Sequence, residues 1–158
     1  MAGIDAMLPN RLVGAALREG RIAPLAGYAQ VRAEVRYGAR SRVDFLLEGP
    51  RGTAHVEVKN VHLRRAEDWA EFPDCVTERG ARHLAELAEV ARAGGRAVLL
   101  YLVQRTDCAR LRLAADLDPG YARAAAAARA AGVEFLAYGT RISPEAVELG
   151  HQLPVAVP

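Results

Sequence analysis

Lysine is almost absent from this chain, although positive charge is not. Lys59 is the one lysine among 21 basic residues, and the others are all arginine. Lysine is a compact point charge with a movable pKa, whereas arginine is a planar, permanently charged fork. A chain that uses arginine wherever a positive charge suffices therefore suggests that position 59 needs chemistry that arginine cannot supply.

Cysteines and long apolar runs are also scarce. Cys75 and Cys108 are too few for a disulfide framework, and their spacing resembles no zinc motif, so reduced thiols are expected. No apolar run approaches the roughly 18 residues that span a bilayer. The opening segment MAGIDAMLPNR has no charged leader before an apolar stretch, which excludes a secretory signal. These absences predict a cytoplasmic protein without a membrane partner.

Size and charge restrict the remaining classes only loosely. The 158 residues favour a single domain over 1–158, and 51% hydrophobic with 25% charged residues is an ordinary globular balance. The net charge of +2 does not indicate nucleic-acid binding unless the arginines cluster in space. Nothing in the composition indicates an oligomeric state.

Hydrophobic periodicity predicts alternating helices and strands. Two polar segments, 61–76 and 105–112, are interpreted as connections. The order α-β-β-β-α-β-α-β predicts a mixed sheet with helices on both faces. The predicted elements are a helix capped by Asn10 and ended by Gly20, strands near 28–38, 42–48 and 53–60, a helix over 77–93, a central strand at 98–103, a helix over 119–131, a strand at 133–138, and a short helix starting at Ser143.

The two middle strands are predicted to bring two carboxylates together. The segment GPRG at 49–52 has the composition of a turn, and a turn centred there places Asp44 opposite Glu57. Opposed residues have Cβ atoms roughly 4.5–5.5 Å apart. Residues two apart in a strand share a face, so Lys59 lies beside Glu57. Two carboxylates this close repel each other unless a cation lies between them or one is protonated.

A divalent metal would relieve this repulsion, with Asp44 and Glu57 as its ligands. Mg²⁺ is commonly held by one or two carboxylates, waters and a substrate phosphate, and it polarises the phosphate and helps to generate hydroxide. Lys59 would orient or deprotonate the attacking water, or neutralise the charge of the intermediate. The alternative is a surface Glu–Lys pair beside an aspartate that fits poorly in a strand.

The pattern D-x(12)-E-x-K on a hairpin resembles the PD-(D/E)XK nuclease superfamily, and the chain is similar to one of its families, sugar fermentation stimulation protein A. The resemblance implies a restriction-endonuclease-like fold, a mixed α/β sheet with an αβββαβ core flanked by helices. It also implies the catalytic triad Asp44, Glu57 and Lys59, DNA binding, and a role in expressing sugar-utilisation genes. The segments that carry it are, in order, LPNRLV, YGARSRVDFLLEG, HVEVKNV, EFPDCVTERGARHL, RAVLLYLVQR, AGVEFLAY and LPV.

The chain departs from the family pattern in two ways. Residue 43 is valine instead of the proline in the superfamily's name. The family also carries an N-terminal OB-fold domain, whereas only MAGIDAM precedes LPNR here. The chain is therefore expected to be the nuclease-like domain alone, and some of the DNA affinity that OB-folds supply would be missing.

Further candidates for DNA contact lie outside the triad. Arg79 and His83 are four apart and share a helix face, which favours phosphate or metal-water contacts near the triad. The alternative is a solvated helix face behind a cap at Thr77. Asn10 and Arg11 are candidates near the cleft, although capping also explains Asn10, and Gln104 ends the central strand, where sites often lie in such sheets. Glu34 is a further candidate acidic partner, with pairing to Arg32 and Arg36 on a solvated face as the alternative. Trp69 and Phe72 are candidates for stacking a base, but they are interpreted as core.

Two functions of different classes follow. The first is a Mg²⁺- or Mn²⁺-dependent DNA nuclease, cutting internally or from an end. The second is a DNA-binding regulatory protein of sugar-utilisation genes, on a nuclease-derived fold that no longer cuts efficiently. The complete triad favours the first, and the modest net charge leaves the second open. No helix-turn-helix signal is found, which disfavours an ordinary groove-reading activator.

Overall fold

A computed structural model describes residues 7–158, which form three α-helices and ten strands in two sheets. The first six residues, part of the segment for which no secretory signal is predicted, lie outside the described residues. The elements are α1 Leu8–Arg18, β1 Gln30–Tyr37, β2 Ser41–Gly49, β3 Gly52–Val61, β4 Leu63–Ala66, β5 Trp69–Phe72, α2 Glu78–Arg92, β6 Arg96–Val103, β7 Arg110–Leu113, α3 Pro119–Ala131, β8 Glu134–Ile142, β9 Val147–Leu153 and β10 Val155–Ala156.

The larger sheet has the strand order β1-β2-β3-β6-β8-β9. Strands β1, β2 and β3 form an antiparallel meander, while β3, β6 and β8 run parallel and β9 closes the sheet antiparallel to β8. Parallel neighbours need crossovers, and α2 and α3 lie in the two crossover segments. The predicted mixed sheet is confirmed, and its central strand β6 is buried almost throughout.

Two hydrophobic clusters, one on each face of the larger sheet, confirm that helices cover both faces. One cluster joins Val13 of α1 to residues such as Val56 and Val58 of β3. The other joins Leu84 and Leu87 of α2 to β6 and α3. Because side chains alternate along a strand, Glu57 and Lys59 point away from the α1 cluster and towards α2. This alternation places polar side chains of β3 beneath a helix.

The helices α2 and α3 begin and end close to where the sequence predicts. The Thr77 hydroxyl accepts a bond from the Gly80 amide at 3.0 Å, and the Asp118 carboxylate accepts one from the Tyr121 amide at 3.0 Å. Both are N-cap bonds that satisfy an otherwise unpaired helix amide. Gly132, with φ 108°, ends α3. No helix within residues 7–158 is long and apolar enough to cross a membrane.

Three sequence predictions are wrong. Asn10 does not cap α1, because the helix begins at Leu8 with Pro9 in its first turn, where proline's missing amide costs nothing. The expected connections contain β4, β5 and the start of β7, which build a second sheet in the order β10-β7-β5-β4. The expected helix from Ser143 is instead the turn between β8 and β9.

Candidate functional site

The hairpin of β2 and β3 has the register that its turn predicts. Gly49 pairs with Gly52, and the pairing continues to Phe45 opposite Val56. One residue further, the amide of Val58 donates to the Asp44 carboxylate at 2.7 Å. The Asp44 side chain is therefore held against β3, next to Glu57, the residue before Val58.

The Asp44 carboxylate is half-buried and anchored from two sides. Its Oδ2 accepts the Val58 amide bond, and its Oδ1 accepts a bond from Asn10 Nδ2 of α1 at 2.9 Å. Burial raises the pKa of Asp44 above its usual range, the Glu57 carboxylate raises it further, and the two hydrogen bonds and Lys59 oppose these effects. The net rise in pKa means that the surrounding protein leaves this negative charge incompletely compensated.

The backbone next to Asp44 is also unusual. In the β1–β2 register Ala33 pairs with Phe45 and Val35 with Val43, which places Glu34 across from Asp44. Glu34 has φ 54°, in the left-handed region that non-glycine residues rarely occupy. Such strain is concentrated at functional sites in proteins. The exposed Glu34 side chain is not among the groups that shift the pKa of Asp44.

Glu57, Lys59 and His83 form a compact buried cluster between β3 and α2. Glu57 Oε1 lies 2.9 Å from His83 Nδ1 and 3.5 Å from Lys59 Nζ, and Lys59 Nζ lies 3.1 Å from the same His83 nitrogen. A ring nitrogen carries either a proton or a lone pair, so Nδ1 either donates to Glu57 or accepts from Lys59. Both arrangements fix the lysine beside the carboxylate.

The second oxygen of Glu57 has no protein partner. Glu57 is 4% exposed, and its Oε2 has no hydrogen-bond partner among the described residues. A buried carboxylate oxygen without a donor is costly, and a bound cation or water would satisfy it. An oxygen in this position is suited to ligate a divalent cation.

Two further residues, Glu86 and Tyr37, lie around the two carboxylates. Glu86 follows His83 by one helical turn on α2, and its Oε2 is buried without a partner among residues 7–158. Burial raises the pKa of the Tyr37 hydroxyl, and the carboxylates of Glu57, Glu86 and Asp44 raise it further. The Tyr37 hydroxyl therefore lies near three carboxylates. Sequence analysis missed Glu86 and Tyr37, although the i,i+3 spacing from His83 was a signal for Glu86.

The donor set fits a hard divalent cation that keeps most of its own water. Among the described residues no group of three or more His, Cys, Asp or Glu side chains is arranged to hold a metal ion by itself. Mg²⁺ is usually held by only one or two carboxylates plus waters and substrate phosphate. Asp44, with its raised pKa, and Glu57, with its unpartnered oxygen, meet that smaller requirement.

The predicted DNA contacts occupy different environments. His83 is 5% exposed and lies inside the cluster with Glu57 and Lys59. Arg79 is exposed in the first turn of α2, and Arg11 is exposed in the first turn of α1. Gln104 is fully buried, where its Nε2 donates to Asn60 Oδ1 at 2.6 Å. The structure thus brings His83 into the site and places Gln104 in a separate buried polar contact.

Sequence comparison finds one family over most of the chain. The family model described as the sugar fermentation stimulation protein RE domain matches residues 7–146. A sugar fermentation stimulation protein homolog of Dinoroseobacter shibae is 66% identical over 98% of this chain and 64% of its own length. The homolog of a Jannaschia species is 65% identical over 98% of this chain and 65% of its own length. The chain thus spans somewhat less than two thirds of these relatives.

Structural comparison agrees with the sequence comparison. The solved structure of Pyrococcus furiosus SfsA in complex with Ca²⁺ superposes with a TM-score of 0.92 and 30% sequence identity. The match covers 99% of this chain and 67% of the solved chain. The family model, the relatives and the solved fold agree, and the chain belongs to the sugar fermentation stimulation protein family.

Proposed function

We propose that this chain is a metal-dependent DNA phosphodiester hydrolase with a restriction-endonuclease-like, PD-(D/E)XK site. The observation that carries the proposal is the convergence of Asp44, Glu57 and Lys59 on adjacent strands, with a buried Glu57 oxygen that has no described partner. Two carboxylates and a lysine at the edge of a hairpin suit the hydrolysis of a phosphodiester.

Asp44 and Glu57 would hold the divalent cation. When bound, Mg²⁺ or Mn²⁺ supplies a positive charge that polarises the phosphate and lowers the pKa of water. The Ca²⁺ complex of the Pyrococcus furiosus relative supports a divalent site in this fold. The raised pKa of Asp44 supports it independently, because a cation would favour the charged carboxylate.

Lys59 would orient the attacking water or neutralise negative charge that develops on the phosphate. It is 16% exposed on its side chain and held between Glu57 and His83, so its ammonium has little freedom to move. Pre-positioned donors of this kind stabilise developing charge without reorganising during the reaction. His83 would act as a positioning residue, since its ring contacts both Glu57 and Lys59.

A cleavage assay tests the proposal. Single-stranded, duplex and branched DNA are incubated with Mg²⁺, Mn²⁺ or EDTA, and Asp44→Asn is the matched variant because it keeps the shape and removes the charge. We expect cleavage of at least one substrate with either metal, none in EDTA, and a loss of at least about 100-fold in Asp44→Asn. Cleavage that persists in EDTA or in Asp44→Asn would exclude this site as its source.

The alternative function is DNA binding in regulation of sugar-utilisation genes without efficient cleavage. One observation favours it: Arg79 and Arg11 are exposed in the first turns of α2 and α1, where arginines can contact phosphates without a metal. DNA binding with normal affinity in every metal, and no cleavage of any of the three substrates, would make this second function the better one.

A further inference from the structure

The tip of the β1–β2 hairpin carries three exposed arginines without acidic partners. Arg36 and Arg42 lie directly opposite each other in the strand register, and Arg40 lies in the turn between the strands. None of their three side chains forms a hydrogen bond or ion pair with a described residue. Like charges directly opposed across two strands destabilise the pair, so this arrangement costs stability unless an anion binds.

The same hairpin shows that the chain can pair an arginine where pairing is needed. Further along β1, Arg32 donates to Glu48 of β2 at 2.8 Å. The hairpin therefore has one neutralised arginine at its far end and three uncompensated arginines at its tip. The repulsion between the opposed arginines at the tip would be offset if an anion from outside the protein bound there.

The arginines surround a depression at the hairpin tip. The depression has a volume of about 330 Å³, within the range of roughly 300–1,000 Å³ that ligand sites occupy. Arg36, Arg40 and Arg42 line it together with the turn residues between them. Arginine guanidinium groups are donors that bind a phosphate.

The depression borders the carboxylate site. Tyr37 precedes the turn and pairs with Ser41 in the register, and its ring centroid lies 5.3 Å from that of His55 on β3. Arg42 and Asp44 are two residues apart in β2, so their side chains leave the same face of that strand. The arginine tip thus lies beside the Asp44 carboxylate.

We propose that Arg36, Arg40 and Arg42 bind a backbone phosphate of a DNA strand whose neighbouring phosphodiester lies at Asp44 and Glu57. The identity of the ligand rests on the proposed function, while the anion site rests on the unpaired arginines around the depression. Arginine forks bind phosphate oxygens in pairs. Binding of this phosphate would fix the register of the strand without reading its sequence.

The test measures DNA affinity in EDTA by fluorescence anisotropy, so that it needs neither metal nor cleavage. Both triple variants remove the same net charge, and only one removes it from the hairpin. The hairpin variant combines Arg36→Gln, Arg40→Gln and Arg42→Gln. The control variant combines Arg21→Gln, Arg92→Gln and Arg141→Gln, whose arginines are exposed and ion-paired elsewhere on the surface.

We expect the hairpin variant to bind single-stranded and duplex DNA at least tenfold more weakly than wild type, and the control variant within about threefold of wild type. The salt dependence of duplex binding should also fall by about 0.9 in slope for one lost phosphate contact. An equal loss in both variants would overturn the proposal, because net charge alone would then explain DNA binding.

Thermal melts separate binding from folding and from free-anion capture. The hairpin variant should melt at or above the wild-type temperature without ligand, since opposed like charges are removed. If it melts lower than the control, Arg40→Gln alone is used, because this exposed residue lies in the turn. Stabilisation of wild type by inorganic phosphate, with DNA affinity unchanged in the hairpin variant, would overturn the assignment to a DNA backbone.

The outcomes also distinguish this site from the proposed hydrolase. A hairpin-dependent loss of DNA binding with no cleavage in any metal would retain the phosphate site and reject the catalytic function. Cleavage that depends on Asp44 with equal DNA affinity in both triple variants would retain the hydrolase and reject the phosphate site.

Discussion

The charged side chains of the smaller sheet neutralise one another, whereas several of those around β1, β2 and β3 do not. In the smaller sheet, Glu71 accepts bonds from Arg65 at 2.8 and 3.0 Å and from Arg112 at 3.0 Å. Arg65 also donates to Asp116 at 2.6 and 2.8 Å. Every member of this network has a partner of opposite sign, so the network needs no ligand.

In the first three strands, several side chains of like charge lie next to each other. Asp44 and Glu57 lie together on the acidic side, and Arg36 and Arg42 oppose each other at the hairpin tip. Glu57 keeps a buried oxygen without a described partner. The difference teaches that paired charges stabilise this fold, while grouped like charges mark where ligands of opposite sign would bind.

The largest effect is expected from replacing Lys59, the positive residue that the proposed cleavage reaction needs beside the two carboxylates. Lys59→Arg keeps the positive charge, but arginine is longer, planar and cannot lose a proton, so it cannot take the place of the ammonium beside Glu57. We expect cleavage to fall by about 10²- to 10⁴-fold in Lys59→Arg, as far as in Lys59→Ala.

Initial cleavage rates and DNA anisotropy measure the two effects of this change. DNA affinity in Lys59→Arg should stay within about threefold of wild type, because the charge is kept. A Lys59→Arg variant with full cleavage would show that position 59 contributes charge only.

The second-largest effect is expected from breaking the charge network of the smaller sheet. Glu71→Gln leaves Arg65 and Arg112 facing a neutral group, and removing one partner of a buried pair costs about 3–5 kcal/mol. Because both arginines are about one third exposed, we expect a smaller loss of about 2 kcal/mol. This corresponds to a fall in Tm of about 4–8 °C for a domain of this size.

The control for Glu71→Gln is Glu89→Gln, which removes an exposed pair with Arg92. Thermal melts should place this control within about 0.5 kcal/mol of wild type. Equal losses in the two variants would mean that the buried network is no more important than a surface pair, and the contrast between the two regions would fail.

Metal binding tests the acidic side of this comparison, the carboxylates of Asp44 and Glu57. A divalent ion that binds only the folded protein stabilises it by about 1.4 kcal/mol at ten times its Kd. We expect Mn²⁺ to raise the Tm of wild type and of Glu71→Gln, and to leave that of Asp44→Asn unchanged. Equal shifts in wild type and Asp44→Asn would place the metal elsewhere in the protein.

The smallest expected effect is a difference in pH dependence between the two regions. Because the pKa of Asp44 is raised above 3.8 in the folded protein, metal-free protein gains stability from this group as pH falls through that folded pKa towards 3.8. Because hydrogen bonds with Arg65 lower the pKa of Glu71 below 4.5, its contribution is present above pH 4.5 and is lost as pH falls through its folded pKa.

Melts in EDTA across the acid range check both signs. Asp44→Asn should lack the gain in stability that wild type shows as pH falls towards about 4. Glu71→Gln should lack part of the loss of stability that wild type shows below about pH 4. A wild type and an Asp44→Asn variant with parallel profiles would show that Asp44 is not destabilised by its surroundings.

Local chemistry made several parts of this protein predictable. The turn at 49–52 determines which residues of β2 and β3 pair, because the register of a short hairpin follows from its turn. Caps at Thr77 and Asp118 set the starts of α2 and α3. Asp44, Glu57 and Lys59 could therefore be grouped from the sequence, since each needs only a turn and strand alternation to be placed.

The turn at Ser143 shows where local chemistry is ambiguous. The Ser143 hydroxyl accepts a bond from the Ala146 amide at 3.1 Å, the same kind of bond that a helix N-cap makes. The pairing of Ile142 with Val147 makes the segment a hairpin turn instead of a helix start. The four residues alone do not distinguish the two, because the deciding bonds lie in the strands beyond them.

The sequence by itself determined the helices α2 and α3, the β2–β3 register and the lone lysine beside two acids. Only the tertiary structure decided the smaller sheet, because β7 pairs in parallel with β5 and β10, which lie some 40 residues away along the chain. It also brought His83, Glu86 and Tyr37 to the acids and left Arg36 opposite Arg42 without partners. Periodicity and turns act over a few residues, whereas charge compensation depends on which distant segments the fold packs together.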